Sequence, residues 1–397
     1  MTVGLWRWPK MNYLIQAYAC SPYKGGEYAI SWGWITHLDE KVKENDCVYV
    51  VSLTLTNKDI LDFGLKHVRL IPVSGMEKWK FLNYNTLYFR IWQRKAYLTI
   101  NRSGIKMDVC HVYSLSDFRM PGDWWKLKNC KTILGPVGGG QVCPAGLRKY
   151  DDKTGKIRNA VNLIQQMNPA FKFKLTKFYK VFACNHETHA CLNKGEILPD
   201  VPLNDKFSNL KIEKKNDDNI TIISVGRLIN KKGLLVLLDV LAMLNTPVRW
   251  KLLIYGDGVQ KEIIKNKIIE LKLQDKICLM GNVQYNMISD VYASADIFVL
   301  PSLRESGGSV LIEAMAHGLP IVALKMSLAD ILSEHDVGVF VDIKQTREKI
   351  IQDFAGALMA LIEDDNLRET CGKNGYSYVN SELNWDKMLE KVYGEWI

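Results

Sequence analysis

Ile297-Phe-Val-Leu-Pro-Ser-Leu-Arg-Glu-Ser-Gly-Gly-Ser-Val-Leu-Ile-Glu-Ala-Met-Ala-His-Gly-Leu-Pro-Ile-Val-Ala323 carries the pattern that decides the fold. Ile297–Leu300 is apolar at every position, Pro301–Gly308 has turn chemistry, Val310–Ala316 has helical spacing, and Pro320–Ala323 starts a second apolar run. Strands apolar on both faces and joined through a helix belong to a parallel sheet with helices on each side. Working outward, the same grammar recurs at Ile220–Val225, Trp250–Tyr255, Lys276–Met280 and Val337–Val341, with helical patterns at Leu234–Leu244 and Val259–Leu271. The first half repeats it less cleanly. Strands are expected at Tyr13–Tyr18, Val48–Ser52, Val68–Pro72, Asp108–Tyr113, Thr132–Leu134 and Val181–Ala183. Pro199–Asn219 is polar and charged, a linker composition, so the boundary between two α/β domains is expected at residues 205/206. Two such domains leave a cleft at the carboxyl ends of their strands, where doubly wound sheets bind ligands.

The chain has 397 residues, 47% apolar and 24% charged, too long for one core. Its formal charge of +9 is uneven. Residues 1–205 carry 29 basic and 17 acidic side chains, and the remainder carries 23 and 26. A basic half joined to a nearly neutral one suggests that one half faces an anionic partner. No apolar run approaches the roughly 20 residues of a membrane span; Leu234–Leu244 is interrupted by Asp239. Met1–Lys10 lacks an apolar leader core, and nine scattered cysteines make no disulfide framework. A cytoplasmic protein is expected, peripheral on the inner face of the plasma membrane if the basic half meets lipid.

In the opening stretch, Glu305 lies in the loop and Glu313 about a turn and a half into the helix. Gly307 and Gly308 precede Ser309 at the helix start, where uncovered N–H groups and the helix dipole suit an anion. A carboxylate suits sugar hydroxyls because it accepts from two neighbouring O–H groups. Upstream, Ser224-Val-Gly-Arg-Leu-Ile-Asn-Lys-Lys-Gly233 closes a strand and opens a helix, placing Arg227 and Lys232 where a diphosphate would lie.

These two motifs, with Tyr255-Gly-Asp-Gly258, Leu279-Met-Gly-Asn-Val283 and Tyr292-Ala-Ser-Ala-Asp-Ile-Phe-Val-Leu-Pro-Ser302, resemble retaining glycosyltransferase family 4, which has the GT-B fold. Ala19–Trp34, Cys110–Gly122 and Leu134–Gln141 resemble the N-terminal halves of a subgroup acting in bacterial exopolysaccharide and lipopolysaccharide assembly. The resemblance implies two Rossmann-like domains facing across a cleft: an acceptor domain over 1–205, a donor domain over 206–380, and a C-terminal helix in 381–397 crossing back. It implies a nucleotide-sugar donor (a UDP-, GDP- or dTDP-sugar), a glycan or lipid-linked acceptor, and no cofactor or metal. Arg227 and Lys232 would neutralise the diphosphate, with the Gly307, Gly308 and Ser309 amides assisting. Glu313 would hold the ribose, Glu305 and His111 the transferred sugar, and Gly281, Asn282 and Val283 the base. Gly25 and Gly26 would approach the donor, with Glu27, Gly139 and Gly140 on the acceptor side. Glu-Ser-Gly-Gly stands where many relatives have an aromatic before a single glycine, a departure at Ser306 and Gly307. A sugar phosphorylase, a nucleotide-sugar epimerase and an inactive membrane-surface adaptor are the alternatives.

Other signals are discounted. Cys184-Asn-His-Glu-Thr-His-Ala-Cys191 has no common metal-site spacing; Glu187 and Thr188 are expected to cap a helix there. His37, His67, His317 and His335 have no evident partners, and Trp32 and Trp34 read as helix-packing residues. Phe81–Tyr97 and Lys153–Lys180 mix aromatics with cations. Each is either a bilayer-surface helix or a core helix with a solvated face. No nucleic-acid recognition motif accompanies the charge.

Overall fold

The computed structural model describes residues 10–82, 86–113, 117–151, 153–200, 202–210, 219–284 and 287–397. The N-terminal stretch 1–9, residues 83–85, part of the Cys110–Gly122 segment (114–116), 152, much of the linker (201 and 211–218) and 285–286 lie outside them.

Among the described residues the chain builds two parallel sheets. The first contains β1 (Asn12–Gln16), β2 (Cys47–Val51), β3 (Val68–Leu70), β4 (Val109–Val112), β5 (Lys131–Val137), β6 (Lys180–Ala183) and β7 (Glu196–Ile197), in the order β3-β2-β1-β4-β5-β6-β7. The second contains β8 (Ile220–Val225), β9 (Trp250–Tyr255), β10 (Ile277–Gly281), β11 (Ile297–Leu300), β12 (Ile321–Leu324) and β13 (Gly338–Val341), in the order β10-β9-β8-β11-β12-β13. Each order reverses beside its first strand, between β1 and β4 and between β8 and β11. At such a point successive connections leave toward opposite faces and open a crevice at the strands' carboxyl ends. The fold is α/β, two Rossmann-like units.

The second unit is cored on both faces by apolar side chains of these strands and their helices. Leu234, Val236, Leu237, Leu238, Val240 and Leu241 of the Leu234–Leu241 helix are all buried. Cys143 and Leu147, which follow β5, pack into that same core, so the first unit is keyed into the second.

The last helix, Trp385–Tyr393, packs on the first unit. Trp385, Met388, Leu389, Val392 and Tyr393 are buried with Tyr13, Ile15, Trp34, Ile35 and Leu38. Trp34 and Trp385 meet edge to face with centroids 5.4 Å apart, and Tyr13 Oη donates to the Trp396 carbonyl at 2.6 Å. Gly33 makes this seat possible, since a Cβ there would stand 2.0 Å from the Trp385 ring.

The two basic, aromatic segments part company. In the Thr86–Arg102 helix, Tyr88, Phe89, Trp92, Ala96 and Ile100 are buried, an ordinary core helix. The Lys153–Met167 helix is inside out. Ile157 (66%), Val161 (42%), Ile164 (67%) and Met167 (70%) are exposed along one stripe, while Asn162 on the opposite face is buried. No helix among the described residues is long and apolar enough to cross a membrane.

Gly33→Ala should lower stability by about 1–3 kcal/mol, the range for overpacking a filled core. In a Trp385→Leu background the same change should do less harm, because the collision is with the indole. Equal losses of denaturation midpoint in both backgrounds would show that the methyl is accommodated elsewhere.

Candidate active site

The loops after β8 and β11 meet because their strands are neighbours. The Leu303 amide donates to the Lys231 carbonyl at 2.8 Å, tying the two loops together. Lys232 Nζ then reaches Glu305 Oε2, and Ser302 Oγ donates to the same oxygen at 3.3 Å. Burial alone would lift the Glu305 carboxyl. The Lys232 charge and hydrogen bond, with Lys231 and Ser302, outweigh it and hold the group below the usual carboxylate range. Arg227 stands exposed at the end of β8, on the same loop.

The rim continues along the sheet. The Gly226 amide donates to Tyr255 O at 2.9 Å, and the Gly256 amide to Gly281 O at 2.7 Å. Gly256 must be a glycine, because a Cβ would lie 1.9 Å from the Gly226 carbonyl oxygen. This chain of close backbones joins Arg227 to Gly281, Asn282 and Val283; Asn282 is exposed and Val283 half-buried.

Gly307 and Gly308 lead into the Ser309–Ala316 helix, with Gly308 immediately before its first turn. Glu313, on that helix, accepts from Tyr292 Oη at 2.8 Å. Burial pushes its carboxyl up to about 7, against the opposing pull of Tyr292 and Lys206. The second unit thus joins Lys231, Lys232 and Glu305 with Arg227 in electrostatic reach, and carries Gly307, Gly308 and Glu313 on the loop and helix that follow β11.

From the first unit, Gly25, Gly26 and Glu27 begin the Glu27–Lys41 helix at the carboxyl end of β1. Space around Gly25 and Gly26 is open. Gly139 and Gly140 are buried beyond β5, the Gly140 amide donating to Thr188 Oγ1 at 3.1 Å.

His111 does not join them. It is fully buried in β4, with Tyr393 Oη 2.6 Å from Nδ1 and the Gly135 carbonyl at Nε2. A carbonyl only accepts, so Nε2 carries the proton and Nδ1 accepts from the tyrosine. Burial depresses its pKa to about 4, despite the Gly135 bond. The ring faces the last helix rather than the crevice: it is a neutral structural imidazole that pins Tyr393, and the expectation of a sugar contact is corrected.

Cys184–Cys191 is an interdomain dock. Asn185, not Glu187 or Thr188, caps its helix, accepting from the Thr188 amide at 2.9 Å. Asn185 Nδ2 also donates to Ser306 O at 3.3 Å and to Ser327 Oγ at 3.1 Å, and Glu187 Oε1 accepts from the Ser327 amide at 2.9 Å. The loop bearing Glu305 is therefore held from the other unit. The histidines read as partnerless have partners: His37 sits between Gly33 O and Asp205, and His317 between Ser289 Oγ and Glu313 O.

Sequence reasoning missed Lys231, Ser302, Tyr292 and Asn185. Lys231 is partly buried beside Glu305, Lys232 and Arg227, and its amine is pulled below the ordinary range by that burial first. Nothing in a Lys-Lys pair says which lysine turns inward. Tyr292 offered a signal, since a buried tyrosine hydroxyl needs a partner.

Residues 205–378 match the family described as glycosyl transferases group 1. An uncharacterized glycosyltransferase of Methanocaldococcus jannaschii is 28% identical over 177 residues, 44% of this chain and 44% of that protein. The capsular polysaccharide biosynthesis glycosyltransferase CapM of Staphylococcus aureus is 30% identical over 206 residues, 48% of this chain and 51% of that protein. The chain spans about half the length of the curated relatives it matches. Among solved structures, the lipopolysaccharide outer core galactosyltransferase WaaB superposes with a TM-score of 0.66 at 16% identity, covering 97% of this chain and 100% of that one. Sucrose-phosphate synthase from Thermosynechococcus elongatus gives 0.67 at 18%, covering 97% and 99%. The two-sheet architecture is shared with these structures nearly end to end, and the motif-bearing half matches by sequence: this chain has the GT-B fold, and its C-terminal half is similar to the group 1 glycosyl transferases.

Proposed function

We propose that the protein is a retaining, metal-independent hexosyltransferase that moves a sugar from a nucleotide sugar to a lipid-linked or oligosaccharide acceptor in surface polysaccharide synthesis. The observation that supports this reading is the Lys232–Glu305 pair on the loops after β8 and β11, with Lys231 and Arg227 in electrostatic reach of it. Breaking the anomeric bond leaves negative charge on the diphosphate, and fixed cations with backbone N–H groups stabilise it there without reorganising. Arg227 and Lys232 take the phosphates, with the Gly307–Ser309 amides. Glu305, ionised at neutral pH, accepts from sugar hydroxyls, Glu313 accepts from the ribose, and Gly281–Val283 border the base. The acceptor hydroxyl attacks from the face the nucleotide leaves and passes its proton to the departing phosphate oxygen. Glu27, Gly139 and Gly140 border the acceptor.

The exposed stripe of the Lys153–Met167 helix supports docking on an anionic bilayer at the cytoplasmic face. Residues 153–180 hold seven Lys and Arg and no Asp or Glu, so apolar insertion and charge attraction reinforce each other.

Arg227→Ala or Lys232→Ala should lower turnover by about 100-fold to 1,000-fold with the fold intact, the range for losing one transition-state donor. Wild-type turnover in a folded Arg227→Ala protein would sink the reading. A thermal-shift screen of UDP, GDP, ADP and dTDP identifies the base, since ligand binding raises native stability.

Glu313 yields a paired pH signature. Its folded pKa of about 7 lies above the ordinary 4.5, so its contribution to stability is full below 4.5 and is lost as pH rises through about 7. Ribose binding needs the carboxylate, so nucleotide affinity should rise over the same window. Glu313→Gln should flatten both relative to wild type. An unchanged slope of stability with pH in that variant would remove Glu313 as its source.

Ile157→Ser with Ile164→Ser should abolish cosedimentation with phosphatidylglycerol vesicles and leave nucleotide binding unchanged. Undiminished vesicle binding would make the stripe a mere surface irregularity.

A further inference from the structure

The inward face of the Lys153–Met167 helix holds a cation, Arg158, that makes no ion pair among the described residues. Gly155 lies against Asp151, where a Cβ would stand 2.1 Å from Oδ2, and Asp151 pairs with Arg304 of the Glu305 loop at 2.9 Å. Two turns along, Asn162 accepts from Arg119 Nη1 at 3.2 Å and donates to Gly139 O at 3.0 Å. Arg119 is itself held by Asp117, Nε to Oδ1 at 2.7 Å. Arg158 stands between these contacts, three residues after Gly155 and four before Asn162, hence on the same helix face. Its Nε is buried without a hydrogen bond, and among the described residues no carboxylate pairs with it.

An unpaired, half-buried charge between two paired arginines lowers stability. Burial first, then Arg119 with Arg304, pull the Arg158 guanidinium below its ordinary value, against Asp117. Arg158 also adds to the repulsion felt by Lys231, which places it within electrostatic reach of the donor loop. Arg227, Lys231 and Lys232 against Glu305 leave two positive charges, the match for the two phosphates of a nucleotide sugar. Arg158 is a cation beyond that requirement, offered from the other unit.

We propose that Arg158 binds a phosphate group of the acceptor, so that the acceptor is a phosphate-bearing molecule, whether a lipid diphosphate or a phosphorylated glycan. This rests on the donor-site reading above. The anion would bond Nε and the terminal nitrogens of Arg158 at the mouth of the crevice, beside Gly139 and the Glu305 loop. That position fixes the acceptor relative to the donor sugar.

The probe is inorganic pyrophosphate, titrated calorimetrically into the full chain saturated with the nucleoside diphosphate that stabilises it most. The saturated wild type should bind one further pyrophosphate per chain. Arg158→Gln should weaken that site at least 10-fold, Arg158→Lys should weaken it less, and nucleotide affinity should change less than twofold. Without anion, Arg158→Gln should melt at or above the wild-type temperature, which separates lost binding from lost fold. Farnesyl diphosphate and a hexose 1-phosphate, run as competitors, tell the two acceptor classes apart; displacement of pyrophosphate by neither overturns the assignment. It is overturned equally if saturated wild type binds no pyrophosphate, if Arg158→Gln binds it as wild type does, or if Arg158→Gln weakens the nucleotide as Arg227→Ala does. Should wild type bind no nucleotide at all, the donor reading fails, and comparing pyrophosphate binding by wild type and Arg158→Gln still decides for Arg158.

Discussion

The pairing of Lys232 with Glu305 organises the crevice. Both side chains are largely withdrawn from solvent, where either charge alone would be strongly disfavoured. Lys232 and its neighbours hold the Glu305 carboxyl below the usual range, so the site keeps a carboxylate at neutral pH ready for redistribution toward a ligand. The pair exists because two loops are bridged by one backbone bond, Leu303 to Lys231, and that bond exists because β8 and β11 are neighbours where the strand order reverses. Sheet topology thus sets the electrostatics.

A second constraint acts across the units. Ser306 O accepts from both Asn185 Nδ2 and Ser327 Oγ, so the loop carrying Glu305 is gripped from both sides. Cys143 and Leu147 anchor the same face through apolar packing. Any relative movement of the units must rearrange these polar contacts, which places the position of Glu305 under the control of interdomain geometry.

Much of this was legible in the sequence. β8 and β11 begin and end where their apolar runs do, because both faces of those strands are covered, and β9 does the same although Lys251 on one face is exposed. β5 runs three residues beyond the expected Leu134, through Gly135-Pro136: its pairing with β6 shifts register there, and an irregular step tolerates residues that otherwise end a strand. The two-residue β7 had too few side chains to show a period. The pairing of Lys232 with Glu305 is what motif spacing on neighbouring loops leads one to expect, because that spacing records loop geometry. His111 was misread for the opposite reason. A histidine in a strand looks the same whether it faces a ligand or a helix arriving from 282 residues away. The Lys153–Met167 helix has ordinary amphipathic spacing, and periodicity does not say which face turns inward.

The seat of the Trp385–Tyr393 helix bears on how the chain is made. Trp34, Ile35 and Leu38 bury themselves against residues the ribosome supplies only after the whole second unit has emerged. His111 likewise waits for Tyr393. The first unit is therefore synthesised first and completed last, with an apolar groove open throughout translation, while the second can close its own core beforehand. Biogenesis runs against the order of the chain, and the groove around Gly33 is the surface a chaperone would have to shield in the interval.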